Sequence, residues 1–353
     1  MSPAHSDGLV AEVIPYALPF AREYRASPGN LDRRELVLLR VRDADGVTGV
    51  GEGVPLTLRG GDSLDSVVST LGGWAERLRL DGHLEPPSGP APARCAVVTA
   101  LADLEARREG IPLHELLGDG REPNPVRCNA TLGADPPDEV ADRARELSEL
   151  GFDRFKLKVG TGDDRERIEA LRASLRPGSM IRLDGNGAWT VEEAISFVSE
   201  IGSDGLELLE QPTEGLEALA QVKAGTDVPV VADESVSTPE EAAEAAAIDA
   251  CDAVTVKISK VGGLDGRLGG HLPTYVSSAL DGPVGIAAAG HLAATLPETG
   301  PTGPTHHGLA TRGLFDGTIA AIGPEMEGEV LVLPPGPGTG VEIDESALAT
   351  FRL

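Results

Sequence analysis

The chain of 353 residues is 41% hydrophobic and 25% charged, which is ordinary globular composition and too apolar for an intrinsically disordered protein. Its 57 acidic and 30 basic residues give a formal charge of -27, which disfavours nucleic acid and anionic membrane surfaces as partners. No apolar run reaches the ~18–20 residues of a membrane span, and no secretory signal is recognisable. The three cysteines are scattered and have no spacing typical of disulfides. We therefore expect a soluble cytoplasmic protein.

The N-terminal part of the chain, residues 1–125, predicts a small domain that mixes strands and helices. Its three strands and two helices are expected at Val10–Tyr16, Glu35–Arg42, Val47–Glu52, Ser63–Leu80 and Ala91–Arg108. The Asp45-Gly46 dipeptide is a hairpin signal between the second and third strands. Gly49, Gly51 and Gly53 resemble a phosphate loop, but no helix opens after them, so we interpret them as strand-end and turn glycines.

From Arg127 onward the chain alternates short apolar runs with acidic, alanine-rich segments of helical length. The eight runs are VRCNATL (126–132), RFKLKV (154–159), MIRLDGN (180–186), GLELLEQP (205–212), VPVVADES (228–235), AVTVKIS (253–259), PVGIAAA (283–289) and HHGLATRG (306–313). A strand-then-helix unit repeated in this way predicts an α/β protein with a closed (β/α)8-type (TIM) barrel over residues 126–319, and an open doubly wound sheet is the alternative. Residues 320–353 are rich in proline and glycine and are expected to return to the N-terminal domain.

Lysine is rare in this chain and confined to its middle. There are 25 arginines and only five lysines, Lys156, Lys158, Lys223, Lys257 and Lys260. A guanidinium stays protonated, whereas an amine can be tuned to give up and take back a proton. Chance and a general bias toward arginine explain any single lysine, so position has to decide which of them are functional.

Charged residues lie near the C-terminal ends of five successive predicted strands. They are Lys156, Lys158, Asp184, Glu210, Asp233 and Lys257. From Lys158 onward they are 26, 26, 23 and 24 residues apart, one strand-helix unit each, so they are expected at one height at the barrel end where active sites lie. Lys156 and Lys158 point to the same side of their strand, which leaves Phe155, Leu157 and Val159 to face the helices. A helix cap or a solvated loop residue explains any one of these charges, but not five strands in register.

Three carboxylates on neighbouring strands repel one another unless a cation neutralises them. Hard oxygen ligands suit Mg²⁺, and the sequence has no His/Cys cluster that favours zinc. Partial burial and positive neighbours lower the pKa of an amine, which makes a lysine here a suitable base. Mg²⁺ would hold a substrate carboxylate and stabilise the enediolate formed when the α-proton leaves. The arrangement predicts proton abstraction next to the carboxylate of a small-molecule substrate.

In this order and spacing, five short motifs resemble the enolase superfamily, and within it the muconate lactonizing enzyme subgroup. The motifs are Lys156-Leu-Lys158, Asp184-Gly-Asn186, Glu210-Gln-Pro212, Asp233-Glu-Ser235 and Lys257-Ile-Ser-Lys260-Val-Gly-Gly263. The resemblance covers nearly the whole chain and implies an N-terminal α+β capping domain (1–125), the barrel (126–319) and a C-terminal segment (320–353) that returns to the cap. It also implies a lysine base used with Mg²⁺, the pairing known for this superfamily.

The resemblance implies a role for individual residues. Asp184, Glu210 and Asp233 resemble the Mg²⁺ ligands, Lys158 resembles the general base, and Lys257 resembles the lysine on the opposite face. Lys156 would lie near the substrate carboxylate and lower the pKa of Lys158, and Asn186 and Glu234 resemble residues that orient the ligands.

Other polar residues are expected outside the reaction. Lys260 is expected to cap its loop, and Lys223 to lie on a helix surface. The mandelate racemase subgroup uses a histidine base on strand seven, but Lys257 occupies the strand-six position here. His291, His306 and His307 are therefore expected in cap and loop roles.

The subgroup includes cycloisomerases, o-succinylbenzoate synthases, and racemases or epimerases of acylated amino acids and dipeptides, which share the same lysines and metal. The segments GIAAAGHLAATLP and HHGLATRGLF resemble the o-succinylbenzoate synthases, and Gly308-Leu309-Ala310 stands where dipeptide epimerases carry Asp-x-Asp. The expected activity is therefore a lyase, a Mg²⁺-dependent o-succinylbenzoate synthase of menaquinone biosynthesis. The alternatives are two isomerases, an N-acylamino acid racemase or dipeptide epimerase and a muconate-type cycloisomerase, and, from another class, a catalytically silent binding barrel.

Substrate specificity is expected from two loops of the capping domain, Ala21–Asn30 and Leu56–Asp65. Arg59 is a candidate for contacting a substrate carboxylate, although an exposed loop arginine is the simpler interpretation. The expected partners are the carboxylate substrate and further copies of the chain in a homo-oligomer, with no nucleic acid or membrane.

Overall fold

The N-terminal region is a three-stranded antiparallel sheet followed by helices. The computed structural model describes residues 8–26, 29–55, 57, 60–118, 120–266 and 268–353. Strands β1 (Val10–Ala26), β2 (Gly29–Arg42) and β3 (Thr48–Gly53) pair in that order, and helices α1 (Leu64–Asp81), α2 (Ala91–Glu109) and α3 (Leu113–Leu117) follow. Ser63 begins α1 by accepting a hydrogen bond from Ser66 N, and Gly82 ends it in the left-handed conformation at φ 67°. The predicted strands and helices are present, and β1 continues to Ala26 rather than ending at Tyr16.

Two glycines of β3 let helix α2 lie directly on the sheet. A Cβ atom on Gly49 would collide with Ala100 O, and one on Gly51 with Ala96 O, both in the backbone of α2. Only glycine allows so close an approach. The prediction of strand-end and turn glycines is therefore wrong for Gly49 and Gly51, which lie inside the strand, and right for Gly53, which ends it.

The central part of the chain is a curled sheet of seven parallel strands with helices outside it. After the short β4 (Val126–Arg127), the strands are β5 (Ala130–Leu132), β6 (Arg154–Lys158), β7 (Met180–Asp184), β8 (Leu206–Glu210), β9 (Val230–Ala232), β10 (Ala253–Val256) and β11 (Thr274–Val276), each paired with the next. The helices are α4 (Pro137–Glu149), α5 (Asp164–Ser174), α6 (Val191–Ile201), α7 (Leu216–Gly225), α8 (Pro239–Ala247), α9 (Ile258–Val261) and α10 (Pro283–Ala293). Thr190 and Thr238 begin α6 and α8 with capping boxes, so these strand-to-helix turns are specified locally.

An extended segment at His307 and Gly308 closes the sheet. His307 forms an isolated parallel bridge with Cys128, next to β5, and Gly308 forms one with Ser277, next to β11. These two residues lie between the edge strands, in the position of an eighth strand. The predicted α/β fold with a (β/α)8-type barrel is confirmed, with the eighth strand reduced to this short segment.

The predicted seventh strand, residues 283–289, is wrong. This run begins helix α10, in which Pro283 occupies the first turn, and the seventh strand is β11 instead. Every residue of α10 is buried, so the helix has no polar face and its sequence shows no helical periodicity. The predicted eighth strand, 306–313, is right only at its start, because a 3-10 turn occupies residues 312–314.

The part of the chain after α10 contacts both the N-terminal sheet and the barrel. It contains β12 (Thr299–Gly300), β13 (Gly303–Pro304), β14 (Ala320–Ile322), β15 (Glu325–Glu327), β16 (Val330–Val332), β17 (Glu342–Ile343) and α11 (Glu345–Phe351). Strand β16 pairs with β4, Arg352 forms a bridge with Tyr16, and Phe315 stacks on Phe20 with ring centroids 5.0 Å apart. The boundaries at 125/126 and 319/320 stay predictions. In the described part of the chain, none of the helices combines the length and apolarity needed to span a membrane.

Candidate active site

Neighbouring strands place lysines and carboxylates side by side at the C-terminal end of the barrel. Lys158 of β6 pairs with Asp184 of β7 in the ladder, and Asp184 pairs with Glu210 of β8. Lys156, two residues earlier on β6, points to the same side of the sheet. All four residues are more than nine-tenths buried, so their charges interact more strongly than they would in water.

The two lysines of β6 bind these carboxylates directly. Lys156 Nζ is 2.9 Å from Asp184 Oδ2 and 2.6 Å from Glu210 Oε2. Lys158 Nζ donates to Asp184 Oδ2 at 2.5 Å and to Asn186 Oδ1 at 2.7 Å. Asp184 therefore contacts both ammonium groups, and Asn186 helps to position the second.

A second group of charges lies at the ends of β9 and β10. Asp233 follows β9 and forms ion pairs with Lys257, which follows β10, and with Lys260 in α9. Lys260 Nζ also donates to Asp233 O and, at 3.1 Å, to Val236 O. Instead of capping its own loop, as the sequence predicts, Lys260 bonds the loop after β9 and lines the central cavity.

The lysines keep two buried carboxyl groups ionised. Burial favours the neutral acid, but the charges of Lys156 and Lys158 outweigh it and hold the pKa of Asp184 well below its usual range. Burial also raises the pKa of Asp233, but the charge of Lys257 outweighs burial and holds that pKa well below its usual range. Both aspartates are therefore anions at neutral pH, ready to bind a cation.

Lys156 is a fixed positive charge. Burial lowers the pKa of Lys156, but the charges of Asp184, Glu210 and Asp233 outweigh burial and raise that pKa above its usual range. Lys156 therefore stays an ammonium ion at neutral pH, because three carboxylates surround it.

The carboxylates fit a divalent metal ion. Glu210 Oε1 is buried without a hydrogen-bond partner, and burial raises the pKa of Glu210 although Lys156 opposes the shift. A cation beside Glu210 would give this oxygen a partner and oppose the effect of burial on the carboxylate. With Asp184 and Asp233 it offers the hard oxygen donors, one from each of three adjacent strands, that suit Mg²⁺.

Asn186 links Lys158 of β6 to Glu234. Its Oδ1 accepts from Lys158, and its Nδ2 donates to Glu234 Oε1 at 3.1 Å. Its backbone N donates to Asp184 Oδ1 at 3.2 Å. Its φ of 45° lies in the left-handed region, which asparagine tolerates better than most residues. Asn186 thus fixes Asp184 and Lys158 relative to each other.

Gln211, the middle residue of the Glu210-Gln-Pro212 motif, is a functional candidate for which the sequence analysis proposed no role. It is 1% exposed, and its Oε1 accepts from Asp233 N at 2.8 Å and from Ser235 N at 3.2 Å. Its Nε2 donates to Ser235 Oγ at 2.6 Å. Gln211 therefore joins the end of β8 to the end of β9 and determines where Asp233 lies. The motif itself was the signal that could have identified it.

A cavity of about 340 Å³ opens over these charges. It is lined by Lys156, Lys158, Asp233, Glu234, Lys257, Lys260, Thr131, Ser277, Ser278, Ala279, Leu280, Gly308, Thr311, Tyr24, Leu31, Arg34 and Gly61. Of the two loops expected to set specificity, 21–30 contributes Tyr24 and 56–65 contributes Gly61. Arg59 and parts of both loops lie outside the described residues.

Arg34 of β2 is a cavity residue that had no signal in the sequence. It is 6% exposed and donates to Ala279 O at 3.2 Å. Burial lowers the pKa of Arg34 to about 10, against the charges of Asp281 and Glu52. It remains a cation at neutral pH and places a positive group on the N-terminal side of the cavity.

The histidines near the end of the barrel do not line this cavity. His291 Nδ1 accepts from His114 N at 3.2 Å, and burial lowers the pKa of His291 to about 4. His307 Nδ1 accepts from Val276 N at 3.0 Å, and burial lowers the pKa of His307 to about 3. Both are neutral residues with structural contacts. Lys223 lies on α7, where its Nζ donates to Asp249 Oδ1 at 2.7 Å.

Most of the chain is similar to proteins of one family. Residues 139–347 match the family described as enolase C-terminal domain-like, and residues 11–118 match the mandelate racemase / muconate lactonizing enzyme N-terminal domain. Muconate cycloisomerase 1 of Rhodococcus opacus is 32% identical over 366 residues, which cover 95% of this chain and 95% of that protein. L-Ala-D/L-Glu epimerase of Bacillus subtilis is 31% identical over 306 residues, 79% of this chain and 82% of that protein. The crystal structure of muconate lactonizing enzyme from Pseudomonas fluorescens complexed with muconolactone matches 99% of this chain and 100% of that one, with a TM-score of 0.88 and 27% identity.

Proposed function

This chain is an enzyme of the enolase superfamily, in its muconate lactonizing enzyme subgroup, and we propose that it transfers a proton at the carbon next to a substrate carboxylate. Enzymes of this superfamily use Mg²⁺ together with a lysine or histidine base. One observation carries the proposal. The strand register sets Lys158, Asp184 and Glu210 at one height, and Lys158 and Lys257 line one cavity.

The proposed Mg²⁺ ligands of this chain are Asp184, Glu210 and Asp233. When bound, Mg²⁺ supplies charge neutralisation for the substrate carboxylate and for the enediolate formed from it. The unpartnered Glu210 Oε1 and the oxygen-only donor set support the assignment.

Lys158 and Lys257 are the proposed proton-transferring groups. They belong to the second and sixth strand positions of the barrel, so they approach a substrate in the cavity from opposite sides. Lys158 removes or returns the proton at its Nζ, which Asp184 and Asn186 hold in place. Lys257 balances the negative charge that develops on the substrate, or serves as the second acid in a racemization. Lys156 contributes a fixed positive charge near the substrate carboxylate.

For the individual reaction, a muconate-type cycloisomerization of a dicarboxylate has the broadest support. The similarity to the cycloisomerase of R. opacus extends over 95% of both chains. Arg34 adds a buried cation on the side of the cavity formed by the N-terminal region, which suits a second carboxylate.

The o-succinylbenzoate synthase activity expected from the sequence is the second candidate. Most of one of its two supporting segments, GIAAAGHLAATLP, lies in helix α10, and no residue of α10 lines the cavity. The other segment, HHGLATRGLF, does reach the substrate region, through Gly308 and Thr311. A dipeptide epimerase lacks support at this place, because Gly308 offers no carboxylate for an ammonium group. The chain's small carboxylate substrate and its homo-oligomeric assembly stay predictions.

Parallel assays of the purified chain with Mg²⁺ test these proposals. Turnover is measured with cis,cis-muconate and with the cyclohexadiene precursor of o-succinylbenzoate. Exchange of the α-proton with deuterium is measured with N-succinylamino acids and with the dipeptide Ala-Glu. We expect muconate to be consumed and the Lys158→Arg variant to be inactive. Turnover of the cyclohexadiene alone would establish the second candidate instead. Deuterium exchange without either turnover would establish a racemase, and activity in a metal-free sample would contradict the metal-assisted chemistry.

A further inference from the structure

A second cluster of metal-ligating side chains lies at the other end of the barrel from the lysines. Asp153 comes immediately before β6 and is five residues from Lys158. His306 comes immediately before the segment that closes the barrel, and Glu329 comes immediately before β16. His306 Nε2 is 3.7 Å from Asp153 Oδ1 and 3.6 Å from Glu329 Oε2. The three ligand atoms lie within 4.8 Å of one another, so one ion can reach all of them.

His306 presents an unpaired nitrogen to the two carboxylates. It is 3% exposed, and its Nδ1 lies 3.0 Å from Pro304 O. A carbonyl oxygen only accepts, so Nδ1 carries the hydrogen and Nε2 of the neutral ring is an acceptor. Nε2 is buried without a hydrogen-bond partner, and three acceptor atoms therefore converge on one point.

Arginines contact both carboxylates and the backbone of the histidine. Arg127 Nη1 donates to Glu329 Oε1 at 2.7 Å, which leaves Oε2 directed at His306. Arg154 Nη1 is 2.9 Å from Asp153 Oδ1. Arg182 Nη1 donates to His306 O at 2.7 Å. Metal ligands are commonly oriented by such outer partners, and the Nδ1–H bond of His306 to a carbonyl is one of the usual ones.

We propose that Asp153, His306 and Glu329 bind Zn²⁺ at a site separate from the one assigned to Mg²⁺. An imidazole nitrogen with carboxylate oxygens is a ligand set that zinc accepts, with water as the fourth ligand. Zinc bonds of about 2.0–2.2 Å in a tetrahedron place neighbouring ligands roughly 3.4 Å apart. The measured separations of 3.6 and 3.7 Å are close to that value. Mg²⁺ is disfavoured here, because it prefers oxygen ligands and retained waters.

The ion would join three separate segments of the chain. These are the start of β6, the segment that closes the barrel, and the C-terminal strands. The expected consequence is greater stability of the closed barrel, measurable apart from catalysis.

Zinc binding by the full chain in excess Mg²⁺ tests the proposal. Metal-free protein is saturated with Mg²⁺ and titrated with Zn²⁺ by calorimetry, and the thermal midpoint is recorded with and without Zn²⁺. We expect one Zn²⁺ per chain and a higher midpoint. Co²⁺ in place of Zn²⁺ should give the visible absorption of a tetrahedral complex. A protein that binds no Zn²⁺ under these conditions would overturn the proposal.

Variants identify the ligands. His306→Gln should weaken Zn²⁺ binding by at least about tenfold. The control is His271→Gln, at an exposed histidine, which should bind Zn²⁺ as tightly as the wild type. Glu329→Gln, which retains an acceptor for Arg127, provides a second test if His306→Gln does not fold. Asp233→Asn should leave Zn²⁺ binding intact. Unchanged binding in both His306→Gln and Glu329→Gln, or loss of binding in Asp233→Asn, would contradict the assignment.

Discussion

Lys158 and Asp184 lie opposite each other in the ladder between β6 and β7, and their Nζ and Oδ2 atoms are 2.5 Å apart. The proposed proton-transferring group therefore touches a proposed metal ligand. The two residues are 26 positions apart in the chain because one strand-helix unit separates them. Substitution of Lys158 should therefore affect turnover, whereas substitution of a proposed metal ligand should affect Mg²⁺ binding.

Lys158→Arg should abolish turnover without unfolding the protein. Arginine keeps the positive charge beside Asp184 but does not give up its proton at neutral pH. Since general-base catalysis contributes typically ~10²–10⁴-fold, we expect a loss of kcat in that range, measured with circular dichroism to show an intact fold. The control is Lys223→Arg on the surface of α7, which should be as active as the wild type. A Lys158→Arg rate within about tenfold of wild type would exclude Lys158 as the base.

Asp233→Asn should weaken Mg²⁺ binding. The substitution removes one of three anionic ligands and leaves Lys257 and Lys260 without their shared carboxylate. The measurement is the Mg²⁺ concentration required for half-maximal activity, together with calorimetric titration of Mg²⁺. Asp249→Asn, which removes one of the two carboxylate partners of Lys223, is the matched control. Equal Mg²⁺ requirements in the two variants would argue that Asp233 is not a ligand.

Lys260→Met should destabilise the fold, although the sequence alone predicts that even Lys260→Arg is nearly silent. Lys260 Nζ bonds the backbone of Asp233 and Val236, and its side chain is 16% exposed. Removing it leaves buried acceptors unpaired, at a cost of about 1–3 kcal/mol in the free energy of unfolding. Lys223→Met on α7 should cost less, because Lys223 bonds one backbone oxygen, Cys251 O, and otherwise pairs with carboxylates such as the exposed Asp249. Urea denaturation of both variants decides the matter, and equal losses would show that the two backbone bonds of Lys260 add no stability.

Glu52 should make stability depend on pH. Burial raises the pKa of Glu52 to about 7 from its ordinary 4.5, although Tyr16 donates to its carboxylate. The folded state therefore binds a proton more tightly than the unfolded state, and the contribution of Glu52 to stability falls as the pH rises from about 4.5 to about 7.

The comparison that isolates this effect is wild type against Glu52→Gln, by urea denaturation across that pH window. The free energy of unfolding of the wild type, relative to the variant, should decrease as the pH rises. A constant difference between wild type and Glu52→Gln would mean that Glu52 does not titrate in this range.

The sequence by itself determined the barrel and the height of its charges. Strands separated by one helix lie next to each other in a parallel barrel, so residues at equivalent places in successive units have to meet. This is why the sequence places Lys158, Asp184 and Glu210 together, and their pairing in the ladder agrees with it. Spacing alone does not set the register, because Glu210 pairs with Val231 rather than with Asp233. The same logic failed for residues 283–289, because a helix buried on all sides has no polar face to reveal its period.

Only the tertiary structure decided which side chains complete these sites. Gln211 and Lys260 act on Asp233 through loops whose conformations no local pattern specifies. Asp153, His306 and Glu329 come from three distant segments, and they form a cluster only because closure of the barrel brings those segments together. Spacing along the chain predicts contacts between neighbours in a regular repeat. Where an unpaired buried atom will lie depends on how the whole chain packs and excludes water, and that is a property of the folded molecule.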